Sequence, residues 1–157
     1  MPDIKKRGGE YIRDGRAPIP KSEITSKVMS KNRGTDTQLE ISIRKALWRN
    51  GLRGFRINVR KLPGRPDIVF TKHRLAIFVH GCFWHRCPTC QPSLPKTHPE
   101  FWAAKFERNT KRDAKALEDL RSLGWMSLLI WECEASKDMD GMVERVKQAL
   151  EGSDDRR

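Results

Sequence analysis

Two short apolar runs, LAIFV (75–79) and MSLLIW (126–131), constrain the fold of this chain more than any other feature. Each is nearly continuous in apolar residues, the pattern of a strand covered on both faces of a sheet. Between them lies EFWAAKFERNTKRDAKALEDLRSLG, a long helical pattern with a strongly charged outer face. Two strands joined by a helix that packs back on their sheet run parallel, through a right-handed crossover. Upstream, FRINV (55–59), DIVF (67–70) and RLAIFVHG (74–81) are β-rich, separated by KLPGRP and by Thr71-Lys72-His73. They read as three consecutive strands of a meander. DTQLEISIRKALWRNG precedes them as a helix, with Leu39, Ile43 and Leu47 at helical spacing and Gly51 where a C-terminal cap belongs. DGMVERVKQAL closes the chain as an amphipathic helix with Asp140 as its N-cap. The expected class is α/β, a mixed sheet flanked by helices.

At 157 residues the chain suits one domain with its own core. Residues 1–25 carry Gly8, Gly9, Pro18, Pro20 and many charges, and read as a mobile basic arm. The domain is expected over 26–152 and a disordered tail over 153–157. A formal net charge of +12 favours a polyanion, most commonly nucleic acid, although charge can also serve solubility alone. The apolar runs are too short to span a bilayer, and MPDIKKRGGEYIRDGR lacks the apolar stretch of a secretory signal. An intracellular protein with no membrane association is the expectation.

Inside a reducing compartment, clustered cysteines point to metal or catalysis. Cys82-x₄-Cys87-x₂-Cys90 supplies three thiolates in one loop, and Cys133 follows the last strand. If that strand lies beside RLAIFVHG, Cys133 completes a closed, structural Cys₄ zinc site; four reduced thiols are the alternative. Asp67 opens a strand directly after a proline, where it either caps the turn or holds a hard cation such as Mg²⁺ together with a backbone carbonyl. Residues 78–80 of the next strand lie level with it, bringing in His80, which otherwise is a core histidine. His85 follows in the loop. Glu40 could orient it as a general base, but Thr37-Gln-Leu-Glu40 also has capping-box spacing. Phe83 and Trp84 sit inside the cysteine loop, and Trp102 early in the next helix. They are core residues or a rigid wedge of the kind that enters DNA between base steps.

LPGRPDIVF, FVHGCFWH, EFW…FERNTKRD and LGW…LLIWEC, in order between Lys27 and Cys133, resemble the very-short-patch-repair (Vsr) endonucleases. These are mismatch-directed nickases with a fold similar to type II restriction endonucleases. The resemblance implies that Asp67 and the Val79 carbonyl bind Mg²⁺, with two ions at the scissile phosphate. It implies His85 as general base with Glu40 as its carboxylate partner, and His80 near the leaving group. Asp113 then lies near the metal-bound waters, with Asn109 on the same helix face. Phe83, Trp84 and Trp102 match the wedge beside a T·G pair, and Met29 enters from the other groove. Val79 stands where the family often has threonine, Cys87 where histidine is frequent, and Val28 where asparagine is common.

The expectation is a Mg²⁺-dependent, zinc-stabilised nickase that cuts the thymine strand of double-stranded DNA 5′ to T in a T·G mismatch, the product of 5-methylcytosine deamination. It would act as a monomer in a bacterial cytoplasm, at the nucleoid, with repair proteins as further partners. A restriction-type nuclease without mismatch choice and a non-catalytic zinc module that binds DNA are the alternatives.

Overall fold

The computed structural model describes residues 23–24 and 36–154. Of the basic arm only Glu23 and Ile24 are described, both helical and exposed, and Met29 falls outside the described residues. Five helices and four strands follow one another from Gln38: α1 Gln38–Arg49, β1 Arg56–Ile57, β2 Ile68–Phe70, β3 Leu75–His80, α2 Cys82–His85, α3 Pro99–Ser122, β4 Met126–Trp131, α4 Glu132–Lys137 and α5 Met139–Asp154. The strands form one sheet in the order β1-β2-β3-β4. β1–β2 and β2–β3 are antiparallel and β3–β4 is parallel, as the two apolar runs require.

The sheet is the middle of three layers. Ile68, Phe70, Leu75, Ile77 and Ile130 point to one face, where Ile43 and Leu47 of α1 and Met142, Val143, Val146 and Leu150 of α5 cover them. Ala76 and Phe78, one residue out of phase, point to the other face and meet Leu120 of α3. Burial on both faces explains why β3 reads as a continuous apolar run and not as an alternation.

The helix ends follow from sequence. After α1, Gly51 adopts φ +79° and Leu52 donates its N–H to the Leu47 carbonyl at 3.0 Å, closing a glycine-stop motif, and Leu52 packs against the core that holds Leu47. The same device ends α3: Gly124 has φ +76°, and Trp125 N–H bonds the Leu120 carbonyl at 3.0 Å. The start of α5 differs from expectation. Asp138, not Asp140, caps it, accepting the Gly141 N–H at 2.9 Å, so the helix starts one residue before Asp140. It also continues to Asp154, past the domain end expected at 152. There the Ser153 hydroxyl lies 2.9 Å from His73 Nδ1 and ties the β2–β3 turn to the helix end. Two short helices, α2 and α4, were not anticipated, because four to six residues carry too little periodicity to register.

The PGRP turn before β2 is pressed against α3. A Cβ on Gly64, itself at φ +72°, would come within 2.5 Å of Ala116 Cβ. Only glycine fits there, and this close approach fixes the turn that delivers Asp67.

Candidate functional site

The carboxyl ends of β3 and β4 open into a cleft of about 1430 Å³. Asp67, Val79, His80, His85, Asn109 and Asp113 all line it, along with Glu40 and Glu132. In an open α/β sheet this is the edge where ligands bind, because loops diverge beyond parallel strand ends.

Asp67 is placed by strand register. Ile68 pairs with Ile77, and the Asp67 N–H bonds the Ile77 carbonyl at 3.0 Å. The Asp67 side chain then reaches along β3 and accepts the Val79 N–H at 2.7 Å. Burial pushes this carboxyl up to about 6, against the pull of the Val79 N–H. A half-buried carboxylate in that condition is suited to a cation, whose charge removes the cost of ionising it. One carboxylate and a neighbouring strand carbonyl are the hard oxygen donors Mg²⁺ takes.

His80 stacks on His85, with ring centroids 3.9 Å apart and planes 9° from parallel, and Trp131 packs edge-on against it at 5.2 Å. Burial and the neighbouring His85 lower the His80 imidazole to about 4, so it is neutral at physiological pH. His85 Nδ1 lies 2.5 Å from Asp113 Oδ2. Burial alone would raise the Asp113 carboxyl, but the His85 hydrogen bond and the nearby imidazole charges outweigh it and hold Asp113 below its ordinary value. An anionic Asp113 accepts the Nδ1–H and leaves Nε2 of His85 as the free base. His80, His85 and Asp113 are close enough to resemble a metal cluster. Parallel rings, however, direct their in-plane lone pairs side by side and not toward one point. The group suits proton handling better than chelation.

The partner of His85 is therefore Asp113, not Glu40. Both Glu40 oxygens are engaged at the start of α1: Oε1 with the Thr37 hydroxyl at 3.0 Å, and Oε2 with the Asp36 N–H at 2.9 Å and Arg44 at 3.0 Å. Thr37 Oγ1 in turn accepts the Glu40 N–H at 3.2 Å. The capping-box spacing meant what it said. Glu40 still lines the cleft, near enough that its charge raises Asp67 further. Asn109 lines the cleft too; its amide donates to the Trp84 carbonyl at 3.0 Å and so holds the end of α2.

The four cysteine sulfurs lie within 4.8 Å of one another, with Cys87 and Cys133 Sγ 3.7 Å apart. Tetrahedral zinc with bonds of about 2.3 Å sets sulfurs about 3.8 Å apart, so the donor set and its spacing fit that ion. Cys133 reaches the loop because β4 is parallel and adjacent to β3, which the apolar runs alone had suggested.

The aromatic residues behave differently from one another. Phe83 and Trp84 are half-buried and line the cleft. Trp102 is only 8 % exposed, packed with Phe101 and Phe106 beneath them, so it supports the presented pair instead of standing beside it. Lys105 lies over this cluster, its Nζ 4.9 Å from the Trp84 ring centre and 5.4 Å from that of Trp102. Burial, with help from Arg108, lowers its ammonium pKa. Sequence reading missed Lys105; the signal was an aromatic pair three and four residues before a lysine on one helix. Arg60, Arg65, Arg112 and Lys115 stand around the cleft among its acids, with Arg112 3.5 Å from Asp113 and Lys115 3.1 Å from Asp119.

A family model described as DNA mismatch endonuclease Vsr matches residues 19–91. Over 126 residues the chain is 38 % identical to the type II nicking enzyme V.XorIIP of Xanthomonas oryzae pv. oryzae, covering 80 % of this chain and 91 % of that relative. The chain belongs to the Vsr family. It is 34 % identical over 158 residues to the type II nicking enzyme V.NaeI of Lentzea aerocolonigenes, 96 % of this chain and 95 % of that one. With the DNA mismatch endonuclease Vsr of Escherichia coli the identity is 42 % over 98 residues, 62 % of either chain. As a Vsr-family member it is a DNA endonuclease, which sets aside the non-catalytic zinc module. Among the described residues no helix is long and apolar enough to cross a membrane.

Proposed function

We propose that this Vsr-family endonuclease nicks the thymine strand of double-stranded DNA on the 5′ side of T in a T·G mismatch, and that it does so with Mg²⁺. The observation that carries the reading is the meeting in one cleft of Asp67, bonded to Val79 at 2.7 Å, and the His85–Asp113 pair at 2.5 Å. One wall offers oxygen donors and the other a base with a fixed tautomer. Between them a phosphodiester can be held and an attacking water deprotonated.

Asp67 and the Val79 carbonyl would hold the cations, two at the scissile phosphate, which would supply charge stabilisation as the pentavalent transition state forms. His85 takes the proton of the attacking water at Nε2, while Asp113 retains Nδ1–H and stabilises the imidazolium that results. His80, kept neutral by burial, stacks on His85 and lies toward the leaving 3′-oxygen. Arg112 and Lys115 hold the backbone, and the products are a 3′-hydroxyl and a 5′-phosphate. Phe83 and Trp84 form the wedge next to the mismatch, where unstacking costs least, with Trp102 behind them and Met29 approaching from the opposite groove. Zinc on Cys82, Cys87, Cys90 and Cys133 keeps the wedge in place. We read the sheet and its flanking helices as restriction-endonuclease-like. The protein would act as a monomer in the cytoplasm, at the nucleoid, with repair proteins as partners.

Asp67→Ala tests the reading directly. The substituted protein should bind a T·G duplex about as well as the unsubstituted one and nick it at least about 10³-fold more slowly. Activity retained by that variant would remove the cation from Asp67, and with it this mechanism.

A further inference from the structure

The α2 turn has a structural problem. It is four residues long, yet it carries Phe83, Trp84 and His85, and its N-cap is Gly81, which has no side chain with which to cap it. Its own bonds are few: His85 N–H to the Gly81 carbonyl at 3.2 Å, and the N–H groups of Arg86 and Cys87 to the Cys82 carbonyl, that of Cys87 at 3.0 Å. A helical turn this short does not hold itself, because nucleation costs more than its few hydrogen bonds return.

The missing acceptor comes from the neighbouring strand. β3 and β4 pair in parallel with His80 opposite Trp131, so the next residues, Gly81 and Glu132, leave the sheet side by side. Glu132 Oε2 accepts the Cys82 N–H at 3.1 Å. The N–H of Cys133, one residue on, donates to Cys82 Sγ at 3.3 Å, so the start of α4 grips Cys82 at both its backbone and its sulfur. A Cβ on Gly81 would lie 3.4 Å from Trp84 and 3.9 Å from Glu132 Oε2, so Gly81 adjoins both Trp84 and this carboxylate. Glu132 also lines the cleft and is exposed, so it is no buried strut of the core.

We propose that Glu132 is a positioning residue, whose carboxylate orients the α2 turn so that His85 faces Asp67 across the cleft and Trp84 faces the DNA. The inference rests on the reading of the cleft as the nuclease centre. It assigns to Glu132 neither contact with the scissile phosphate nor a share in holding zinc. The contact acts on geometry, and a glutamine, which keeps an acceptor oxygen of the same reach, should substitute for it.

The test compares Glu132→Ala and Glu132→Gln with the unsubstituted, zinc-loaded protein. Three quantities are read: amide hydrogen exchange over residues 82–85 of the free protein, zinc per chain, and single-turnover nicking of T·G and T·A duplexes. Glu132→Ala should exchange faster at Cys82–His85 with zinc still at one per chain. Its nicking should fall by up to about 10²-fold, the loss that misplacement by an ångström brings, and its preference for T·G over T·A should narrow. Glu132→Gln should restore protection and most of the rate. Three results would overturn the proposal: unchanged exchange and nicking in Glu132→Ala; loss of zinc from it; or equal loss of rate in both variants with protection intact, which would assign the carboxylate's charge to the cation. If the unsubstituted protein does not nick T·G duplexes, the nuclease reading fails, while the exchange data still decide whether Glu132 holds the turn.

Discussion

The two walls of the cleft are built in different ways. Asp67 and Val79 belong to adjacent strands whose pairing is fixed by the burial of Ile68, Ile77 and their neighbours on both faces of the sheet. His85, Phe83 and Trp84 belong to a turn held by side chains from three distant places: Asp113 and Asn109 on α3, Glu132 and Cys133 after β4, and Cys87 and Cys90 in the loop beyond. One wall is a consequence of the core. The other is tethered to it, and should fail while the core stands.

The most severe way to break that comparison is to remove a tether that belongs to the proposed zinc site. Cys133→Ser, or chelation of the metal, should reduce nicking by at least about 10³-fold. Far-ultraviolet circular dichroism should stay nearly native while the near-ultraviolet signal of Trp84 and Trp102 collapses. A protein that loses its sheet as well would show that the two walls are one cooperative unit.

Asp113→Asn removes less. His85 loses the anion that fixes its tautomer, and nicking should slow by about 10²-fold. Asp113 is held below its ordinary value, so the contribution of its charge is present at neutral pH and is lost as the medium becomes more acid than its lowered pKa. The acid limb of the pH–rate profile should therefore change in the variant, and DNA affinity should not. Asn109→Ala frees only the Trp84 carbonyl and should slow nicking by about tenfold, with a loss of T·G preference as the distinctive sign.

The opposite wall offers a smaller effect of opposite direction. Asp67 is raised from 3.8 to about 6 in the fold, so ionising it costs the metal-free protein stability. Below pH 4 it is protonated in both folded and unfolded chains and costs nothing; the penalty grows as pH rises from 4 to 6 and is complete above. Asp67→Asn should thus be more stable than the unsubstituted metal-free protein at pH 7, by about 2 kcal/mol and roughly 5 °C in melting temperature. The advantage should vanish by pH 4, and Mg²⁺ should narrow it by stabilising the unsubstituted protein alone. Thermal scans at the two pH values decide it.

This difference in construction also explains what was legible in the sequence. The β2–β3 level of Asp67 and residues 78–80 followed from strand alternation, and the return of Cys133 to the loop followed from parallel strands. Both depend on periodicity and chain order, which a sequence displays. The partner of His85 was not legible. Glu40 and Asp113 are both carboxylates with helical neighbours, and only the packing of α3 across the sheet decides between them. The capping signature at Thr37 and Glu40 was the local clue, since a carboxylate already used by its own helix is less free to serve another residue. The placement of Trp102 was not legible for a related reason: an aromatic residue one turn into a helix has the same sequence whether it faces solvent or lies under Phe83. Glu132 carried no signal at all, because a lone acid after a strand becomes informative only when the neighbouring turn begins with an uncapped glycine.

The most direct test of the account is strand nicking of an end-labelled duplex that carries one T·G pair within randomised flanks, beside its T·A twin, with and without Mg²⁺. The account predicts one Mg²⁺-dependent nick, 5′ to the mismatched T, leaving a 5′-phosphate, and little cutting of the T·A duplex. Equal cutting of both duplexes, or cutting that persists without a divalent cation, would contradict it.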